Sequence, residues 1–304
     1  MMPHTRSRRR GGTLVELLIS MVILGVLGTL VARIMMDQQR AFQRMTEQTV
    51  VRRELRSAMS LLPTELRGVS SVGGDITAFD NMSISFRASL GSSVVCARTA
   101  TTVDLPPVGA ARMALTSWAS LPNVGDAVML LRPDSSGQKG DFWSTHTVTN
   151  VSVLAAPCVG TVYVHPIADL LKTGLRLTVT PTLPDSVLAG SALRLVRPTR
   201  YALTQVASGR WYLGRSEFVG GAWTAAIPVS GPYQPASASG TGGLSVALYD
   251  TLGVSITTLA NAPKAARLDV VLRGRGRSSS RVAGSSITAI EDTIAVRVAL
   301  RNRR

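Results

Sequence analysis

Histidine, cysteine and lysine are scarce in this chain. The histidines are His4, His146 and His165, the cysteines are Cys96 and Cys158, and the 33 basic residues include only the lysines Lys139, Lys172 and Lys264. No HExxH, CxxC, GxSxG or P-loop pattern occurs. The sequence therefore supplies no zinc-protease pair, redox dithiol, nucleophile elbow or phosphate cradle. His146 and His165 fall in strand-like runs that could approach one another, but nothing nearby specifies a metal or a nucleophile, and structural histidines are the simpler reading. An enzyme is the weakest functional class. Aromatic residues make up only 5% of the chain, while Gly, Ser, Thr, Val and Ala are plentiful, a texture that suits a β-rich extracytoplasmic domain. At 304 residues the chain can hold one or two domains and bury a core.

Charge is missing altogether from Leu17 to Ala32. With Gly12 to Val15 in front, this run covers about 20 residues, or about 30 Å of helix, the thickness of a bilayer's hydrocarbon core. At its head stands one acid, Glu16. An ionised carboxylate in hydrocarbon costs several kcal/mol, so Glu16 is expected to have a function and a partner; a position at headgroup level is the plainer alternative. Arg6, Arg8, Arg9 and Arg10 precede the run without an acid among them, whereas Arg33, Arg40 and Arg44 beyond it are mixed with Asp37 and Glu47. The positive-inside rule then keeps the N-terminus in the cytoplasm and exports everything after about residue 36. Leu30-Val31-Ala32 is a poor small-x-small cleavage site, so a retained anchor fits better than a secretory signal.

The stretch RRRGGTLVELLISMVILGVLG resembles the class III signal of type IV pilins and of the pseudopilins of type II secretion. That signal is a basic leader ending in Gly, then a small or apolar residue, Thr or Ser, Leu, an aliphatic residue, Glu and a long apolar helix. The resemblance implies that a prepilin peptidase cuts between Gly11 and Gly12 on the cytoplasmic side and methylates the new amino group of Gly12. The first mature residue departs from the usual Phe or Met, and a cut after Gly12 is the alternative; it would place Glu16 fourth rather than fifth. In this family the fifth-position Glu has an assembly role. An amine on an adjoining subunit neutralises it once the helices bundle, and the pair sets their register.

Past the anchor there is no Gly or Pro from Asp37 to Leu62, and Val51, Leu55, Met59, Leu62 and Leu66 lie on one helical face. Pro63 and Gly68 mark a kink or an end. Short apolar–polar alternations follow, among them Thr161–His165, Leu175–Thr180 and Ile294–Leu300, while Ser237–Gly243 and Gly274–Ser280 read as loops. The fold expected is α+β: a long N-terminal, partly transmembrane helix packed on a C-terminal antiparallel β-rich domain. The segments are a leader at 1–11, a membrane half-helix at 12–36, an amphipathic half at 37–68 and a globular part at 69–304. Arg200-Tyr201-Ala202-Leu203 and Arg210-Trp211-Tyr212-Leu213-Gly214-Arg215 read as a hairpin turning at Ser208-Gly209. The pair also resembles a hairpin of the PilW and GspJ minor-subunit group.

Cys96 and Cys158 could bridge in an oxidising compartment, closing a loop worth about 4 kcal/mol, or stay as buried thiols. Asp134 and Asp141 bracket a Ser/Gly-rich loop that suggests Ca²⁺, as in some pseudopilins, but its spacing is not that of an EF-hand and an ordinary turn is the simpler reading; no other cofactor is expected. The net charge of +15 stays strongly positive without the leader, and Arg273, Arg275, Arg277 and Arg281 cluster near one loop. Such a cluster could contact DNA during uptake, although a solvated basic loop explains it as well. The reading is a structural minor pilin, PilW-like, that helps prime or cap a type IV pilus. A J-type pseudopilin and a DNA-binding minor pilin are the alternatives. Its partners would be prepilin peptidase and other pilin subunits. It would reside in the bacterial inner membrane, with the C-terminal domain outside, before entering a pilus or pseudopilus.

Overall fold

The computed structural model describes residues 13–132, 142–280 and 288–300. Gly11, Gly12, Asp134, Asp141 and Arg281 therefore lie outside the described residues. The chain opens with helix α1, Leu14–Leu66, of 53 residues, about 80 Å at 1.5 Å per residue. Every residue from 13 to 43 is exposed, and burial begins only where the apolar stripe meets the sheet. Val51, Leu55, Ala58, Leu62 and Leu66 are buried, and Met59 is half-buried beside them. Pro63 stands in the last turn, where it forgoes the bond to the Met59 carbonyl; the helix ends three residues later, and the Arg67 amide, just past the last turn, donates to the Pro63 carbonyl at 3.0 Å.

Sixteen strands follow among the described residues. The first eight are β1 (Ile76–Asp80), β2 (Ser83–Val94), β3 (Ala97–Arg98), β4 (Thr102–Leu105), β5 (Ser117–Trp118), β6 (Ala127–Arg132), β7 (Phe142–Ala155) and β8 (Thr173–Thr180). Then come β9 (Ala192–Gln205), β10 (Trp211–Val219), β11 (Ala222–Trp223), β12 (Ile227–Tyr233), β13 (Leu244–Tyr249), β14 (Ser255–Ile256), β15 (Arg267–Ser280) and β16 (Thr288–Ala299). All pair antiparallel, in the path β14-β13-β15-β12-β10-β9-β6-β7-β8-β4-β3, with β2 along β9 and β16 along β15. The architecture is α+β, a long apolar N-terminal helix packed on an antiparallel sheet domain.

Strand β9 joins the two halves of this sheet. β2 runs beside it from Ser83↔Ala202 to Val94↔Ala192. On its other side, Leu193–Val196 pair with β6 and Thr199–Gln205 with β10. Pro198, which has no N–H to donate, falls in the interval between these two partners. Two apolar cores result. The first gathers the α1 stripe with Phe86, Tyr201, Leu213, Leu244, Leu268 and their neighbours. The second, around Val103, Leu130, Leu177 and Leu195, contains no helix residue. The hairpin between β9 and β10 turns at Gly209, which has φ +75° and donates to Val206 at 2.8 Å.

Two readings of the sequence need correction. Thr161–His165 forms turns rather than a strand. The Thr161 hydroxyl donates to the Cys158 carbonyl at 2.7 Å, and the His165 Nδ1 accepts from the amides of Ile167 and Ala168, which holds the backbone in turns. Gly274–Ser280 is strand, the far half of β15, rather than a loop. Its glycines are there for close approach. A Cβ at Gly274 would lie 2.6 Å from the Val51 Cγ1, and one at Gly276 would lie 3.0 Å from the Glu47 Oε2. Gly274→Val should destabilise the domain by about 1–3 kcal/mol through overpacking against Val51 and Leu55. Urea denaturation checks this, and Gly274→Ala should lie between the two.

Candidate functional site

The helix N-terminus is built from two residues three apart. Thr13 has extended backbone, φ −71° and ψ 150°, and its hydroxyl accepts from the Glu16 amide at 3.4 Å. The Glu16 carboxylate reaches back to accept from the Thr13 amide, also at 3.4 Å. This is a capping box: the first turn of a helix has amides without intrahelical acceptors, and the two side chains satisfy one each. The carboxylate also sits at the positive end of the helix dipole. In a single subunit, Glu16 is thus engaged by its own helix through long hydrogen bonds, and no cation among the described residues faces it. Threonine three residues before an acid, ahead of an apolar run, is the sequence signal for this cap, and it was legible in TLVE.

Behind the cap the apolar face has no partner within the subunit. α1 is the one helix among the described residues long and apolar enough to cross a membrane, and none of its most apolar window is buried. At Gly25 and Gly28 an added Cβ would meet nothing within 4 Å, so the backbone there is bare. Bare glycines allow another helix to approach closely in lipid.

A chain of charges fastens the other end of the helix. Glu65 near the end of α1 lies 3.4 Å from the Arg215 Nε on β10, and Arg215 pairs in turn with Glu217. Glu217 accepts from Arg197 at 2.9 Å, and Arg197 grips Asp126 with two bonds of 2.7 and 2.9 Å. Arg197 and Asp126 are almost fully buried, with side-chain exposures of 5% and 0%. The Asp126 carboxylate holds the Arg197 guanidinium above its ordinary pKa. Arg197 stands where β9 changes partner, and Asp126 immediately precedes β6, so the pair fills the fork between β6 and β10. Tyr201, paired with Arg215 across the ladder, is fully buried beside Glu65. Burial, and then the Glu65 carboxylate, push its hydroxyl pKa up.

The other residues singled out by sequence are dispersed. Cys96 and Cys158 are joined in a disulfide with Cα atoms 5.5 Å apart. His146 is buried; its Nδ1 donates to the Pro181 carbonyl at 2.9 Å, which leaves Nε2 to accept from Ser144. Asp169 accepts from the amides of His165 and then Ala111 and pairs with Lys172, which brings its pKa down to about 2. Arg273 donates to the carbonyls of Gly240 and Gly242, so it ties down the 237–243 loop, whereas Arg275 is exposed. Arg277 lies in β15, two residues beyond Arg275. A groove of about 610 Å³ between Val108, Trp118, Leu121, Val153 and Leu171 is lined largely by apolar side chains. Among the described residues no group of three His, Cys, Asp or Glu could hold a metal.

Set against known proteins, residues 6–32 match the prokaryotic N-terminal methylation motif. No curated protein and no solved structure matches the chain. The motif covers the basic leader, the capping box and most of the exposed apolar run.

Arg197→Ala would leave Asp126 buried without its cation, and a loss of about 3–5 kcal/mol in urea denaturation is expected. Replacing Arg197 and Asp126 together by apolar residues of similar volume should recover most of that loss.

Proposed function

From the methylation motif and the apolar helix behind it, which support a type IV pilin-like or pseudopilin protein processed by prepilin peptidase, we propose that this chain is a minor pilin of a type IV pilus, PilW-like, that helps prime or cap the filament. The observation that carries the proposal is the state of α1. Its outer end is locked to the sheet by a buried apolar stripe and by Glu65, whereas the apolar run from Leu17 to Ala32 is exposed and has no partner in the subunit. Lipid covers that surface before assembly, and the helices of other pilin subunits cover it afterwards.

Within this reading the peptidase cuts between Gly11 and Gly12 and methylates Gly12. Trimming creates an α-amino cation about one helical turn from Glu16. Its own cap gives the Glu16 carboxylate one long hydrogen bond but no charge. When bundling excludes water, a neighbouring subunit's amine is worth more to the carboxylate than the cap, because the low dielectric strengthens a pair and penalises a lone charge. A J-type pseudopilin would use the same chemistry, and the two roles differ in which filament system retains the subunit.

Gly11→Val should block leader removal, seen as a single slower-migrating species on a gel. Glu16→Ala should leave membrane insertion and trimming intact while lowering recovery in sheared filaments at least tenfold. Equal recovery of mutant and wild type would remove the assembly role from Glu16, and Gly11→Val protein that is still trimmed would move the cut site.

A further inference from the structure

The half of the sheet that carries no helix contact closes on itself. β2 pairs with β9, and the path runs on through β6, β7, β8 and β4 to β3. β3 resumes just past the end of β2, and the Cys96 amide between them donates to the Asp104 carbonyl of β4 at 3.0 Å, which closes the ring. The second apolar core fills the interior of this small barrel. Residues directly opposite on β7 and β8 share a face, and the inner face runs from Val151↔Leu177 to Val153↔Leu175. Leu177 is fully buried, Val151 and Leu175 are half-buried, and Val153 is 69% exposed. The interior lining thus continues past the packed core and opens into the groove of about 610 Å³ at the barrel mouth.

The walls of this mouth are tied in place. Trp118 pairs with Gly91, whose missing side chain leaves room for the indole ring, and the Ala119 amide donates to the Leu90 carbonyl at 2.7 Å. The segment after β4, with Pro106 and Val108, is fastened to the loop that carries Leu171. The Ala111 amide donates to the Asp169 carboxylate at 2.9 Å, and the Lys172 ammonium to the Gly109 carbonyl at 2.6 Å. Among the described residues that line the groove, Lys172 is the one that carries charge, and the buried Asp169 neutralises it at 2.9 Å. Pro106 and Pro107 have no N–H to offer. A charged occupant meets no uncompensated partner here, and one with peptide groups would leave them unpaired against this wall. Apolar grooves of about 300–1,000 Å³ are the size of small-molecule sites, and barrel mouths are among their usual places.

We propose that the barrel mouth binds the hydrocarbon chain of a neutral amphiphile, between Trp118 and Leu121 on one side and Val153, Leu175 and Leu171 on the other. The occupant follows from the charge of the groove, which is balanced internally, and from its lack of hydrogen-bond donors along the proline wall. The site is independent of leader removal and of filament assembly.

The test is photolabelling of the full chain in phosphatidylcholine nanodiscs. The probes are straight-chain alcohols of increasing length, from hexanol to decanol, each with an alkyl diazirine near the chain end. Labelled peptides are read by mass spectrometry. Label on the peptides that carry Val153 and Leu171 should saturate and be displaced by unlabelled decanol. At equal free concentration it should rise by up to about fourfold per added CH₂. Label on α1, from alcohol dissolved in the bilayer, should not saturate. Val153 and Leu171 are 69% and 93% exposed, so Val153→Glu with Leu171→Glu should leave the fold and the α1 label unchanged while cutting the groove label at least tenfold. Groove label that does not saturate, or that survives the double substitution, would overturn the proposal. So would displacement at least tenfold better by decanoate than by decanol, which would assign the groove to an anion. A wild-type dimer in sedimentation that the double substitution abolishes would assign it to a second copy instead.

Discussion

Val51, Leu55, Ala58, Leu62 and Leu66 commit the last third of α1 to a protein core, while the first third has an apolar surface all the way round and no core to enter. One continuous helix must therefore meet two solvents. The sheet satisfies one end only because β15 offers glycine where the helix comes closest: at Gly274 a side chain would occupy the space of Val51. Together with the buried stripe and the Glu65–Arg215 pair, that contact fixes how the sheet domain sits on α1. β16 pairs along β15 there, and Arg52 reaches Asp292 on it.

The two apolar cores are held at a fixed relation by β9 and by the charges around it. A strand that exchanges one partner for another leaves a fork, and a fork in a buried sheet strands polar groups. Pro198 removes one donor there, and Arg197 brings a guanidinium that satisfies Asp126, Glu217 and the Leu121 carbonyl. Continuing through Arg215 to Glu65, the same network connects the fork to the helix. A buried ion pair is a poor source of stability compared with apolar packing, but it is demanding about geometry. That suits a joint between two halves of a domain whose outer half carries no helix contact.

Much of this was legible in the sequence, for physical reasons that can be named. The four, four, three, four spacing from Val51 to Leu66 identified the buried helix face, and alternation identified β8, β13 and β16. The far half of β15 was missed because Gly274 and Gly276 look like loop residues until a helix is known to lie on them. Thr161–His165 was misread because its alternation is real, while the hydrogen bonds that fold it into turns come from Cys158, His165 and Asp169. The charge network could not be found by pattern at all: Asp126, Arg197 and Glu217 are far apart in sequence and meet only through the β6–β9–β10 register. At the site itself, Glu16 stands out by its charge, whereas Thr13 becomes its partner only because the helix starts at Leu14, a boundary that the uninterrupted apolar run does not mark.

The account rests on Glu16 exchanging its own cap for a cation that exists only after the leader has been removed. Intact-mass and N-terminal peptide spectrometry of the native protein tests this most directly. A chain beginning at Gly12 and carrying one added methyl group is the expected result. A native protein that begins at Met1, with no shorter form present, would contradict it.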